Sequence, residues 1–514
     1  MSPFQQFRVW LKEAPRAELW FSGIAFGLAM TLLSFAVLPE SSGSPADLSA
    51  GALIAVPDSP GAIDPTTGSP FGVSPGSTPG ASFPTITSTS PTGTTPPVDG
   101  QGSTSPNVPF TASDRGVTPD SIKLGFTILN LAGVEQAGYA AQLRSDVPQV
   151  IDALVEEANK NGGVLGRQIE AVKKSVDILS ADDQRRKCLE FTQTDKVFAV
   201  IDSYNFAVYE SSRACFAVEN QTPLLINSAG SSAEVRKTAP YVVSDGKTSN
   251  RAVKDLVYGA RANGFFDSAK GFRKLGLLTD SCDVHALESK TDGLKQYLRE
   301  VGVDSWSEYR ADCDISSQQR GGAQAVLQHV QDDVTHVMLL TIGAGAENYL
   351  RAANAQLNYR PKYWVGDFKS LSNDGTADSF NPDQFDRTRA VTQLHEGERV
   401  LGKPFSRTAR ECSQIFTDRG LAPVTDYSFD SEVLYLCAHL KLFIEIASNV
   451  GPHLTRPGWG DAVSTVGKFR SAWVDLAIFD EPGKQSGGDT VATIEWRREC
   501  VCWVQIKGFR SAYG

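Results

Sequence analysis

Short apolar runs alternate with helical spacing through most of this chain. The clearest stretch is residues 196–232, KVFAVIDSYNFAVYESSRACFAVENQTPLLINSAGSS. Its apolar run at 197–201 is short enough for a buried strand, and the polar turn Asp202-Ser203-Tyr204-Asn205 follows. A helical pattern over 207–218 leads to a second apolar run, Leu224-Leu225-Ile226, which ends in Asn227-Ser228-Ala229-Gly230-Ser231-Ser232. Strand, turn, helix, strand, turn is the order of a parallel sheet.

The same alternation extends both ways. Upstream, the spacing predicts strands at 121–128 and 168–176, with helices at 147–161 and 182–194. Downstream, a strand at 241–243 precedes a helix over 247–263. The pattern then restarts, with strands at 274–279, 304–309, 336–342 and 362–367 and helices at 285–301, 316–331 and 346–357. Two runs of βα units predict an α/β class with two similar lobes. Beyond residue 370 the pattern loosens. It predicts a strand at 388–394 returning to the first lobe, helices at 405–418 and 429–450, and antiparallel strands within 490–506. These assignments put lobe 1 at about 115–245 and 371–430, and lobe 2 at about 246–370 and 431–514.

The N-terminal part is different in kind. Residues 19–38 run without a charge, LWFSGIAFGLAMTLLSFAVL, long enough to span a bilayer as a helix. Arg8, Lys12 and Arg16 precede it, so the expected orientation keeps residues 1–18 cytoplasmic and exports the rest. The reading is a single-pass signal anchor over 19–39; secretion after signal cleavage is the alternative. Residues 40–114 are rich in Ser, Thr, Pro and Gly and hold few large apolar side chains. They form no core and act as a linker, spanning about 50 Å as a coil.

Charge and motifs narrow the chemistry. The 514 residues carry a formal charge of −10, which argues against a nucleic-acid partner. The six histidines form no metal-binding pattern, and no GxSxG elbow appears. Asp202, Asp280 and Asp367 at strand ends are either paired acids or capping carboxylates, and capping is the reading adopted. No enzyme activity, metal or cofactor is expected. The eight cysteines suggest disulfides in an oxidising compartment. With strand order 2-1-3-4-5, Cys188 and Cys215 lie on helices packed on one sheet face, so they can pair. Cys282 and Cys313 follow neighbouring strands of the second lobe and also match. Cys412 and Cys437 sit on consecutive helices. Cys500 and Cys502 are either bonded to each other or free.

Ligands of parallel sheets bind beyond the carboxyl ends of the strands. Both polar turns, at 202–205 and 227–232, sit at such ends and can hold a small polar head group. The same residue types also make turns with no ligand.

Residues 116–125, GVTPDSIKLG, the helix end Asn161-Gly162-Gly163 followed by Leu165-Gly166-Arg167, and the 224–231 segment together resemble one family. It is the type 1 periplasmic-binding-protein fold, within it the leucine/isoleucine/valine-binding group of ABC transporter solute receptors. The resemblance covers about residues 116–506. It implies two Rossmann-like lobes joined by a hinge that close around a small, amino-acid-like ligand. By position it implies that Ser203, Tyr204, Asn205, Ser228, Ala229, Gly230 and Ser231 serve the ligand in lobe 1. In lobe 2 it implies Gly343, where the family often has an aromatic, and Asp367, in place of the family's acid. The expected function is a membrane-tethered extracytoplasmic solute-binding protein serving an ABC permease. A ligand-sensing receptor ectodomain of the same fold is the alternative.

Overall fold

β1 (Ser121–Asn130) opens a sheet whose strands are all parallel. The computed structural model describes residues 110–130, 144–178, 180–203, 209–228, 230–281, 293–312, 315–367 and 371–511. The expected membrane anchor and residues 40–109 of the expected linker lie outside these residues, while residues 110–114 are not linker but pack on the folded part: Ser113 donates to the Leu454 carbonyl at 2.7 Å and Asp114 pairs with Arg456 at 2.8 Å. The remaining strands of the first sheet are β2 (Gln168–Asp177), β3 (Ala199–Ile201), β4 (Leu224–Leu225) and β5 (Val242–Val243). Their order is β2-β1-β3-β4-β5. The second sheet holds β6 (Leu275–Asp280), β7 (Trp306–Ala311), β8 (His336–Leu340), β9 (Lys362–Gly366), β10 (Arg389–Thr392), β13 (Thr490–Arg497) and β14 (Cys502–Ser511). Its order is β14-β13-β10-β9-β8-β6-β7, with β13 and β14 antiparallel as the alternation predicted. β11 (Gly467–Phe469) and β12 (Ala477–Phe479) form a separate pair.

The central strands are uniform apolar runs because both faces are covered. Every residue of β6 and β8 is buried. Leu124, Phe126, Ile201 and Leu225 pack on one face of the first sheet, while Val176, Val200, Leu224 and Val242 pack on the other. In the second sheet Leu278, Val337 and Leu339 face one way and Leu277, Met338 and Leu340 the other.

The lobe bounds are corrected: residues 371–392 belong to the second lobe and 431–479 to the first, since Leu371, Phe380 and Phe385 pack in the second sheet's core and Leu454, Trp459, Phe469 and Phe479 in the first's. β10 does not return to the first lobe; it pairs with β9 in the second sheet, because its run Ala390-Val391 is buried between that sheet's two cores. The helix Ser431–Val450, expected in the second lobe, is the central helix of the first. Val433, Leu434, Leu440 and Phe443 join the core formed by β1 and β3. That helix is long and apolar enough to cross a membrane, but 67% of its apolar window is buried within the lobe. It is apolar nearly all round because it is covered nearly all round.

The resemblance-bearing turn after the helix Val147–Lys160 is a packing device. Gly162 and Gly163 take φ of 97° and 58°, and a Cβ on Gly163 would sit 1.9 Å from the Arg167 carbonyl oxygen. The turn presents the buried Arg167, whose guanidinium donates to the carbonyls of Thr118, Thr111 and Pro452. Among the described residues three disulfides are formed: Cys188–Cys215, Cys412–Cys437 and Cys500–Cys502, with Cα separations of 6.4, 6.1 and 5.2 Å. Cys282 and Cys313 lie outside the described residues.

Candidate functional site

The chain crosses between lobes three times, and the crossings lie side by side. The first leaves β5, the second follows β10, and the third leads to β13. Ser244 N–H donates to the Gln485 carbonyl at 2.8 Å, and Gly487 N–H donates back to Ser244 at 2.9 Å. Asp475 N–H donates to the Gln393 carbonyl at 3.2 Å, and Gly488 N–H to Gly246 at 3.1 Å. The hinge is therefore a hydrogen-bonded bundle of three segments.

A buried network ties this hinge to the first lobe. His439, on the helix Ser431–Val450, places Nδ1 3.0 Å from the Asp202 carbonyl and Nε2 3.2 Å from Asp245 Oδ1. Ser471 donates to the other Asp245 oxygen at 2.5 Å. Nδ1 must donate, since a carbonyl can only accept. Nε2 faces an Asp245 carboxylate oxygen. The Asp202 side chain accepts from Thr127 Oγ1 at 2.6 Å.

Ser203 is fully buried at the carboxyl end of β3, beside Glu432. Glu432 accepts from Leu129 N–H at 2.8 Å. Burial pushes its carboxyl up to about 7, and the Asp202 charge adds to this, while the Leu129 N–H and Ser203 hydroxyl pull it down. The pattern did not single out Glu432. An acid at the start of an apolar helix reads as a partner of the helix dipole.

The turn after β4 has divided roles. Gly230, at φ 80°, accepts the Ser249 N–H at 2.9 Å and so joins the turn to the first helix of lobe 2. Ser231 caps the helix Ser232–Thr238 by accepting the Glu234 N–H at 3.1 Å. Ser228 is half-buried at the end of β4. Tyr204, Asn205 and Ala229 lie outside the described residues.

In the second lobe Gly343 begins the helix Gly343–Ala355, where a Cβ would touch Thr376 at 3.0 Å. Both Asp367 oxygens are engaged within the hinge: Oδ1 accepts from Ser372 at 2.7 Å and Oδ2 from Gln393 N–H at 2.7 Å. Burial raises its carboxyl above the usual range. This geometry assigns Asp367 to fixing the β9–β10 junction. An open recess of about 330 Å³ joins the lobes at the cleft edge, lined by Ser232 of lobe 1 and Asn250, Arg251, Lys254 and Tyr297 of lobe 2. Arg251 is held by Asp489 and donates to the Ser486 carbonyl at 3.0 Å. Among the described residues no acid, His or Cys cluster suits a metal ion.

A family model described as periplasmic binding protein matches residues 134–393. This chain belongs to the periplasmic binding protein family. The solved structures similar to it include a possible leucine/isoleucine/valine-binding protein from Rhodopirellula baltica, at 16% identity and TM-score 0.56, covering 75% of this chain and 96% of that one. A solute-binding protein of an ABC transporter from Rhodopseudomonas palustris, in complex with 3,4-dihydroxybenzoic acid, has 15% identity and TM-score 0.55, with coverages of 76% and 98%. A fatty acid ABC transporter substrate-binding protein from Thermomonospora curvata has 16% identity and TM-score 0.54, covering 78% and 95%. No curated protein matches the chain. The fold of this periplasmic binding protein is thus the type 1 fold of ABC transporter substrate-binding proteins. The family is one of solute-binding proteins, and its fold forms the two lobes and triple hinge described above.

Proposed function

We propose that this protein is a membrane-tethered extracytoplasmic solute-binding protein. It captures a small polar, amino-acid-like ligand between its lobes and delivers it to an ABC-type importer; it is not an enzyme. The observation that carries this reading is the triple hydrogen-bonded hinge between two parallel sheets. It lets the lobes close on a ligand without breaking either core. In lobe 1 the ligand contacts are Ser203, Tyr204, Asn205, Ser228, Ala229, Gly230 and Ser231, with Gly343 facing them from lobe 2. The charge-free residues 19–38 supply the anchor and residues 40–109 the tether.

A thermal-shift screen of the purified protein tests this, with amino acids, aromatic carboxylates, fatty acids and sugars as separate classes. One class is expected to raise the melting temperature, since a ligand at a hundred times its Kd adds about 2.7 kcal/mol. Ser228→Ala is expected to abolish that shift and leave the ligand-free melting temperature unchanged. Ser231→Ala is a poorer probe, because losing the helix cap costs about 1 kcal/mol with or without ligand. No shift with any class would overturn solute capture.

A further inference from the structure

The hairpin between β13 and β14 ends in the turn Arg498-Glu499-Cys500-Val501, and a disulfide joins Cys500 to Cys502 across it. We propose that this pair is a thiol–disulfide exchange site, which takes two electrons from a partner dithiol.

Three observations carry the proposal. The first is that the bond is dispensable for stability. A disulfide stabilises mainly by restricting the unfolded chain, and the restriction grows with the loop it closes. Cys500 and Cys502 are separated by 2 positions, against 27 and 25 for Cys188–Cys215 and Cys412–Cys437. The β13–β14 ladder also holds the tip already, through the pairs Arg497↔Cys502, Trp496↔Trp503 and Glu495↔Val504.

The second is access. Cys500 is exposed and Cys502 half-buried, whereas Cys188, Cys215, Cys412 and Cys437 are all buried. Cys500 is therefore the sulfur more open to an incoming thiolate. Cys502 then departs as the leaving thiolate, and it lies opposite Arg497 in the ladder. Such cross-strand neighbours have Cβ atoms about 5 Å apart.

The third is the residue enclosed by the ring. Val501 has φ 51°, in the left-handed region, and its side chain is exposed. A β-branched residue is strongly disfavoured there. The disulfide ring and the hairpin turn together hold Val501 there, so opening the disulfide removes one of the two restraints, which favours the reduced state.

The reaction balances as follows. A thiolate of the partner attacks Cys500 Sγ, forming a mixed disulfide and releasing Cys502 as a thiolate. The partner's second thiol gives up its proton and attacks its own sulfur in the mixed disulfide, releasing Cys500. The partner ends as a disulfide and the hairpin as a dithiol, with two electrons and two protons transferred.

The full-length protein is equilibrated with graded ratios of reduced to oxidised dithiothreitol and then trapped with N-ethylmaleimide, and the label is mapped by peptide mass. Cys500 and Cys502 are expected to take label at ratios where Cys188, Cys215, Cys412 and Cys437 take none. Incubation with glutathione is expected to place the mixed disulfide on Cys500. Val501→Gly, which leaves both cysteines in place, is expected to shift the equilibrium about tenfold toward the disulfide. Labelling of Cys500 and Cys502 only together with the buried pairs would overturn the proposal. An unchanged equilibrium in Val501→Gly would remove the strained turn as its driving force.

Discussion

Glu432 shows how burial sets the behaviour of one residue. Its carboxyl is 3% exposed and lies between the Leu129 N–H and Ser203. The folded protein holds its proton up to about pH 7, above the ordinary carboxylate value. Asp374 is likewise pushed up to about 7 by burial, with the Asp426 charge adding, and burial lifts Glu396 well above its usual range. A raised folded value means the folded state binds the proton more tightly than the unfolded chain. The contribution of these groups to stability is therefore greatest below the ordinary carboxylate range and is lost as pH rises through about 7. Thermal unfolding between pH 5 and 8 is expected to show a falling melting temperature. Glu432→Gln keeps an acceptor for Leu129 and should reduce that slope, with a gain of up to about 3 kcal/mol at pH 8. An unchanged slope would show that Glu432 titrates normally. None of this is legible along the chain, because desolvation depends on what covers the group.

At the scale of elements, the helix Ser431–Val450 organises the first lobe. It runs twenty residues without Pro or Gly and stops at Gly451, whose φ is 91°. Phe443 stacks on Trp459, with ring centroids 5.8 Å apart, and meets Phe198 at 6.3 Å. The Cys412–Cys437 disulfide bonds it to the helix Arg407–Asp418. Replacing both cysteines by serine is expected to cost about 3 kcal/mol in chemical unfolding with the hinge intact, since the loop it closes is long. A cost near zero would mean that the two helices are held by packing alone. The helix and its cysteine were readable from the apolar run and the spacing. Its lobe was not, because periodicity shows that a face is buried and not what buries it. The same holds for β10, a strand by pattern that joined the second sheet.

At the scale of the molecule, the hinge lets two sheets behave as separate bodies. Its segments approach so closely that a Cβ on Gly246 would lie 2.4 Å from the Asn227 carbonyl oxygen. Gly246→Ala must displace either the hinge or the turn after β4. It is expected to cost about 1–3 kcal/mol and to weaken ligand binding at once. Thermal unfolding and ligand titration of the same variant check this. A loss of stability with full affinity would separate the hinge from the site.

The sequence by itself determined the class of fold, the doubling of the βα units and two of the disulfide pairs, and the strand order taken for the first sheet is the one observed. Those features rest on local periodicity and on short, repeated connections, which a chain carries in its own order. It also pointed to the turns after β3 and β4, which are the ligand site proposed above. Only the tertiary structure decided that Ser231 caps a helix and that Asp367 secures the hinge. It alone placed Glu432 beside Ser203 and His439 beside Asp245. Apart from the Ser231 cap, these are contacts between residues from 5 to more than 200 positions apart, and their chemistry comes from the low-dielectric surroundings that folding creates.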